Sequence, residues 1–172
     1  MKTYKIKSQV AILFLLLFFV GAENLIAGNY TWNGGSSTSW TTTSNWTPNG
    51  TPGINDTVTI VTGSNNVYLT GNTTVKNLTI NSGTLNLQTY TLTISGTGSF
   101  NSVSITSGFL SIYGTSTQTF KGTQFGAKVS VTGNSILLNG SVFNDSLFIV
   151  KKGTSNDNGK GSNTFNGRSE EH

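Results

Sequence analysis

Three stretches of the chain repeat one arrangement of apolar residues. Residues 78–87 (LTINSGTLNL), 103–112 (VSITSGFLSI) and 129–138 (VSVTGNSILL) are apolar at the first, third, eighth and tenth positions. The residues are Leu78, Ile80, Leu85 and Leu87; Val103, Ile105, Leu110 and Ile112; Val129, Val131, Ile136 and Leu138. Self-similarity at a period of about 25 residues marks a repeat architecture, in which each unit buries its apolar face only against its neighbours.

Within each copy the apolar residues alternate with Thr, Ser or Asn, the period of a strand with one buried face. Leu78 and Ile80 point inward while Thr79 points outward, and a further short strand follows at Leu92 and Ile94. From Ile80 through Leu87 and Ile94 to Ile105 the steps are 7, 7 and 11; from Ile105 through Ile112 and Phe120 to Val131 they are 7, 8 and 11. Three short strands and then the same again describe a roughly triangular coil. Gly83, Gly96, Gly108, Gly114 and Gly133 mark its corners, where positive φ or close packing is needed. An antiparallel sandwich also suits many short strands with glycine-rich turns, but its strands need not match at a constant offset. The fold predicted is therefore all-β, a parallel β-helix (β-solenoid) of about 4 coils over residues 57–151. Val58, Ile60, Val67 and Leu69 form a less regular first coil, and Val142, Phe143, Leu147 and Ile149 a last one.

The ends differ from the repeats. Lys2, Lys5 and Lys7 precede an unbroken apolar run from Val10 to Val20, and small residues follow at Gly21, Ala22, Ala27 and Gly28. This is the layout of a secretory signal peptide over residues 1–27, a helix cleaved after Ala22 or Ala27. The run is shorter than the roughly 20 apolar residues that span a bilayer, so no stable membrane span is expected after cleavage. Of 10 basic and 6 acidic residues, the leader takes three Lys and Glu23, which leaves 7 against 5 and a net charge of +2. No stripe of Lys or Arg remains, and nucleic acid is not an expected partner. The chain has no cysteine, so a secreted product must be stabilised by its backbone ladder and stacked core rather than by disulfides.

Residues 28–56 hold Tyr30, Trp32, Trp40, Trp46, Pro48 and Pro52. An open solenoid end exposes unpaired strand edges, so this segment reads first as a cap with its indoles over the first coil. The second reading is a carbohydrate platform, with Trp32, Trp40 or Trp46 stacking on sugar rings. Residues 152–172, rich in Gly, Asn and Ser, read as a flexible, poorly packed tail. No cap is evident there, which suggests a piece of a longer array.

Chemistry is sparse. The one histidine is His172, which excludes a Ser-His-Asp or Cys-His arrangement held in the fold. Asp56 and Asp145 sit in opposite end coils, too far apart to flank a sugar bond. Ser155, Asn156, Asp157, Asn158 and Gly159 faintly resemble a calcium loop without its bidentate Glu. No catalytic residue, metal site or cofactor is called for, and the chain is not expected to be an enzyme. The triplets at Asn29, Asn45, Asn72 and Asn77 match the N-glycosylation pattern, as expected by chance in so Asn- and Thr-rich a chain.

The opening TWNGGSSTSWTTTSNWTPNGTPGINDTVTI, with Trp32, Asn33, Gly34, Trp40, Asn45, Trp46, Pro52 and a strand from Thr57 to Ile60, resembles the start of large secreted β-helix surface proteins of Bacteroidetes. The segment VKNLTINSGTLNLQTYTLTISGTGSF is similar to their repeats, and GSNTFNG (161–167) to a motif that opens further repeats. The resemblance implies export to the medium or outer cell surface and a structural or adhesin-like role without catalysis. Its partner would be a polysaccharide or a component of the cell surface or matrix. It also implies a C-terminal sorting domain that this sequence lacks, as a truncated fragment of a longer surface protein would. Such proteins carry O-glycans at Asp-Ser/Thr followed by an apolar residue, which makes Thr57 and Ser146 candidate acceptors.

Overall fold

The computed structural model describes residues 26–61, 66–154 and 159–171. Most of the signal segment, the Ser155–Asn158 part of the calcium-like loop and His172 lie outside the described residues. The chain is all-β and winds as a parallel β-solenoid of about 6 turns. Each coil contributes a strand to three faces. The first face is a 7-stranded sheet whose parallel members are Asn29–Trp32, Thr57–Ile60, Asn77–Ile80, Gly98–Asn101, Thr117–Lys121 and Ser135–Asn139. The second and third faces run together through the long strands Gly83–Ile94 and Val103–Tyr113, which turn a corner in mid-strand. Further along the chain they separate into Gln124–Phe125 and Lys128–Gly133, Val142–Phe143 and Leu147–Lys151, Thr164–Phe165 and Ser169–Glu171.

The coil is shorter than the sequence period. Leu78 lies opposite Gly98 and Leu85 opposite Ile105, a coil of about 20 residues, at the short end for repeats of this kind. On the third face it is slightly tighter still, with Leu92 paired to Leu110 and Leu110 to Val129. The three similar stretches therefore do not stack on one another. The first spans faces one and two, the second faces two and three, and the third faces three and one. The sequence period is one coil plus one face, because any two adjacent strands around a corner carry the same apolar pattern. Each step of 11 also hides a face: Ile94 leads to Phe100 and then Ile105, and Phe120 to Phe125 and then Val131. This is why about 4 coils are expected from sequence and about 6 are found.

Inward residues form vertical columns. Trp32, Ile60, Ile80, Phe100, Phe120 and Leu138 share one, and Leu85, Ile105, Phe125, Phe143 and Phe165 another. The phenyl rings stack along the axis: Phe100 on Phe120 at 5.5 Å and Phe125 on Phe143 at 4.7 Å, both pairs nearly parallel. Across the core Phe120 meets Phe125 edge-on at 5.4 Å. Such pairs contribute about 0.5–1.5 kcal/mol each beyond the burial of their area.

One inward column is interrupted by a polar residue. Between Gly98 and Ile136 stands Gln118, wholly buried. Its Oε1 accepts from the Gly98 amide at 2.6 Å, and its Nε2 donates to the carbonyls of Gly96 at 3.0 Å and Ser116 at 3.2 Å. The amide replaces ladder bonds at the corner between the third and first faces. There Gly114 packs so close to the Gly96 carbonyl that any side chain would collide with it. At the next corner one residue per coil adopts positive φ: Ser102, Gly122 and Gly140 lie in register.

The two ends are built differently. Trp46–Thr47 pairs antiparallel with Asn29–Trp32 and covers that edge of the first face. At the far end, where a poorly packed tail is expected, Thr164–Phe165 and Ser169–Glu171 pair parallel with the coil below. Ser169 and Glu171 continue columns occupied below by Leu147 and Ile149, so this last partial coil turns polar where the earlier ones are apolar.

Candidate functional site

Of the candidate residues, the three tryptophans come together in the cap. Trp46 meets Trp32 at 4.9 Å and Trp40 at 4.8 Å, both edge-on, and all three are 0–1% exposed. The Trp46 indole N–H donates to the Trp40 carbonyl at 2.7 Å. A sugar platform needs an open ring face, so the carbohydrate reading of Trp32, Trp40 and Trp46 is overturned by their burial. Asn45, also wholly buried, ties the loop around them: its Oδ1 accepts from the amides of Ser36 and Ser37, and its Nδ2 donates to Ser37 Oγ and the Ser39 carbonyl.

Asp56 and Thr57 also belong to this end. The Asp56 carboxylate accepts from the Gly28 amide at 2.6 Å and the Gly53 amide at 2.7 Å, pinning the start of the first strand to the loop that closes the cap. Thr57 is half-buried, and its hydroxyl accepts from Asn77 Nδ2 at 3.0 Å. Asp145 lies four coils further along, about 19 Å at one strand spacing per coil. Among the described residues no three His, Cys, Asp or Glu side chains gather as a metal site would require.

Ser146 is exposed and sits elsewhere, in an open groove of about 450 Å³ on the outer surface of the third face. Register explains the groove. Phe109 lies beside Lys128, and Lys128 beside Ser146 in the next coil. One column over, Ser111, Ser130, Phe148 and Glu170 follow one another. Leu110 and Ile112 point inward, which forces Phe109 outward; Leu147 and Ile149 do the same to Phe148. Both residues are 37% exposed, and on the Phe109 strand the other outward residues are mostly Ser and Thr. Arg168, its side chain 81% exposed, pairs with Glu170 at one end of the groove. Lys128 has no carboxylate partner among the described residues.

Sequence reasoning missed Phe109, Phe148 and Lys128 as neighbours. The parity signal was present, since each Phe adjoins an inward Leu, but their convergence depends on the coil length. The groove offers separate aromatic faces, hydroxyls and cations, a set suited to holding a polar ligand. No family model, curated protein or solved structure matches the chain.

Proposed function

We propose that the chain is a structural and adhesive module, a secreted or cell-surface rod without catalytic activity. The observation that carries this reading is the regularity of the solenoid: from Thr57 to Lys151 successive coils stack in register around an apolar interior. The outward positions vary mainly among Thr, Ser and Asn, so each coil repeats the same hydroxyl- and amide-bearing surface. The resemblance of residues 31–60 to secreted Bacteroidetes β-helix proteins supports export, as does the leader-like segment at residues 1–27. Among the described residues no helix is long and apolar enough to cross a membrane. The partner of such a module is a polysaccharide or a component of the cell surface or matrix. Ser146, exposed, is the more accessible of the two candidate O-glycosylation positions; Thr57 is half-buried on the outer surface of the first face, its hydroxyl engaged by Asn77.

Two measurements test this reading. N-terminal sequencing of the product exported by a bacterial host is expected to begin after Ala22 or Ala27. Beads coated with that product are expected to adhere saturably to cell-surface and matrix preparations. Retention of the full-length chain in the cytoplasm, or beads that adhere no better than albumin-coated ones, would contradict it.

A further inference from the structure

We infer that the groove on the third face binds an extended acidic polysaccharide, with Phe109 and Phe148 as stacking platforms and Lys128 as the anion contact. The inference rests on the adhesive reading above and gives that module a site and a ligand class. Three observations carry it. First, the two rings are separated on the outer surface by Ser111, Ser130 and Lys128, with Ser146 at the edge. A protein interface would centre on a contiguous apolar core depleted in Lys and Ser, whereas an aromatic face beside hydroxyls suits the C–H face and the hydroxyls of a sugar. Second, register places the Phe148 backbone two coils up and two residues along from Phe109, about 12 Å away. That span exceeds a single sugar ring, so one ligand reaching both platforms is a polymer. Third, Lys128 stands between the platforms with no carboxylate partner among the described residues, and Arg168 adds a second, well-exposed cation at the far end. Arg168 is already paired with Glu170 and the Asp145 carboxylate is held by Ser146, so among the described residues Lys128 is the groove charge left without a partner, and it favours a ligand that carries negative charge.

The source of that charge is a uronic-acid carboxylate or a sulfate ester, and separate arms of one experiment distinguish them. Alginate, dextran sulfate and neutral dextran are titrated into the chain by calorimetry at low and moderate salt. Alginate or dextran sulfate is expected to bind saturably, and dextran at least tenfold more weakly. Because charged contacts are screened over about 10 Å at 0.1 M salt, binding weakens as salt is added. The double variant Phe109→Thr with Phe148→Thr replaces both rings with hydroxyl-bearing side chains and is expected to bind roughly tenfold more weakly, equivalent to about 1.4 kcal/mol. Lys128→Gln is expected to lower both the affinity and its salt dependence. Circular dichroism confirms that each variant keeps the solenoid. Equal affinity in the double variant, equal affinity for dextran, or no binding to either anionic polymer would overturn the inference. If the coated beads still adhere in that case, the adhesive reading survives and the site lies elsewhere. If they do not, both readings fall.

Discussion

Gln118 allows the buried corner to be tested without changing its shape. Methionine has nearly the length and volume of glutamine and adapts to irregular gaps, so Gln118→Met removes the hydrogen bonds while leaving the packing largely intact. Three backbone groups lose a partner. The Ser116 carbonyl keeps its bond from the Asn134 amide, but Gly98 and Gly96 are buried. A buried polar group left unpaired costs about 1–3 kcal/mol. Two such groups, partly offset by burying a thioether instead of an amide, give an expected loss of about 3 kcal/mol. For a chain of this size that corresponds to roughly 6–12 °C in Tm. Urea and thermal unfolding followed by far-ultraviolet circular dichroism measure it directly. Gln118→Glu is a second arm: it keeps an acceptor for the Gly98 amide but sets a carboxylate oxygen against the Gly96 carbonyl, and is expected to be destabilised as well. A methionine variant as stable as the parent would refute the view that Gln118 stitches adjacent coils together.

Three further outcomes are expected. Ser102 occupies a left-handed position that glycine fills in the next two coils. The conformation costs a non-glycine residue about 1–2 kcal/mol, of which glycine's greater freedom in the unfolded chain takes back roughly 0.5–1. Ser102→Gly is therefore expected to stabilise by about 0.5–1 kcal/mol in urea titration, and a loss of stability would count against the assigned corner. Asp56→Asn keeps one acceptor but turns an amide nitrogen toward a backbone N–H. It is expected to cost about 1.5–3 kcal/mol, read as an earlier unfolding transition by tryptophan fluorescence; an unchanged midpoint would remove Asp56 from the cap. The three indoles themselves are expected to emit at short wavelength and resist acrylamide quenching. The long-wavelength emission and ready quenching of exposed indoles would restore the sugar platform.

The inward and outward assignments were legible in the sequence because a strand with one buried face writes them as simple alternation. Leu78, Ile80, Leu92, Ile94, Val103 and Ile105 all point inward as read. The coil length was not legible, for a physical reason. Every pair of adjacent faces needs the same two apolar pairs around a corner, so a similar segment recurs at any whole number of faces. Phe100 escaped notice because its strand, Gly98–Asn101, carries one apolar side chain. Gln118 escaped because a polar residue is not expected inside, although its spacing of two from Phe120 already put it there. The coil length also decides the site. If the sequence period were the coil, Phe109, Lys128 and Phe148 would fall on unrelated parts of the surface; with the shorter coil they meet on one face. The tryptophans illustrate the reverse case, since aromatic residues clustered in sequence are also what a cap requires, and only their burial separates the two.

The register of the coils decides the fold, and pairs of introduced cysteines probe it directly because the chain has none of its own. Ser99 and Thr119 face each other across neighbouring strands of the first face, about 4.8 Å apart between Cα atoms, within reach of a disulfide. Thr79 and Ser104 stand at the same position in two successive copies of the repeat and would be neighbours if the sequence period were the coil. Instead they lie on the first and second faces. Mild oxidation followed by thiol titration and non-reducing electrophoresis is expected to close S99C/T119C within one chain and to leave T79C/S104C as free thiols. Cross-linking of the second pair but not the first would contradict this register.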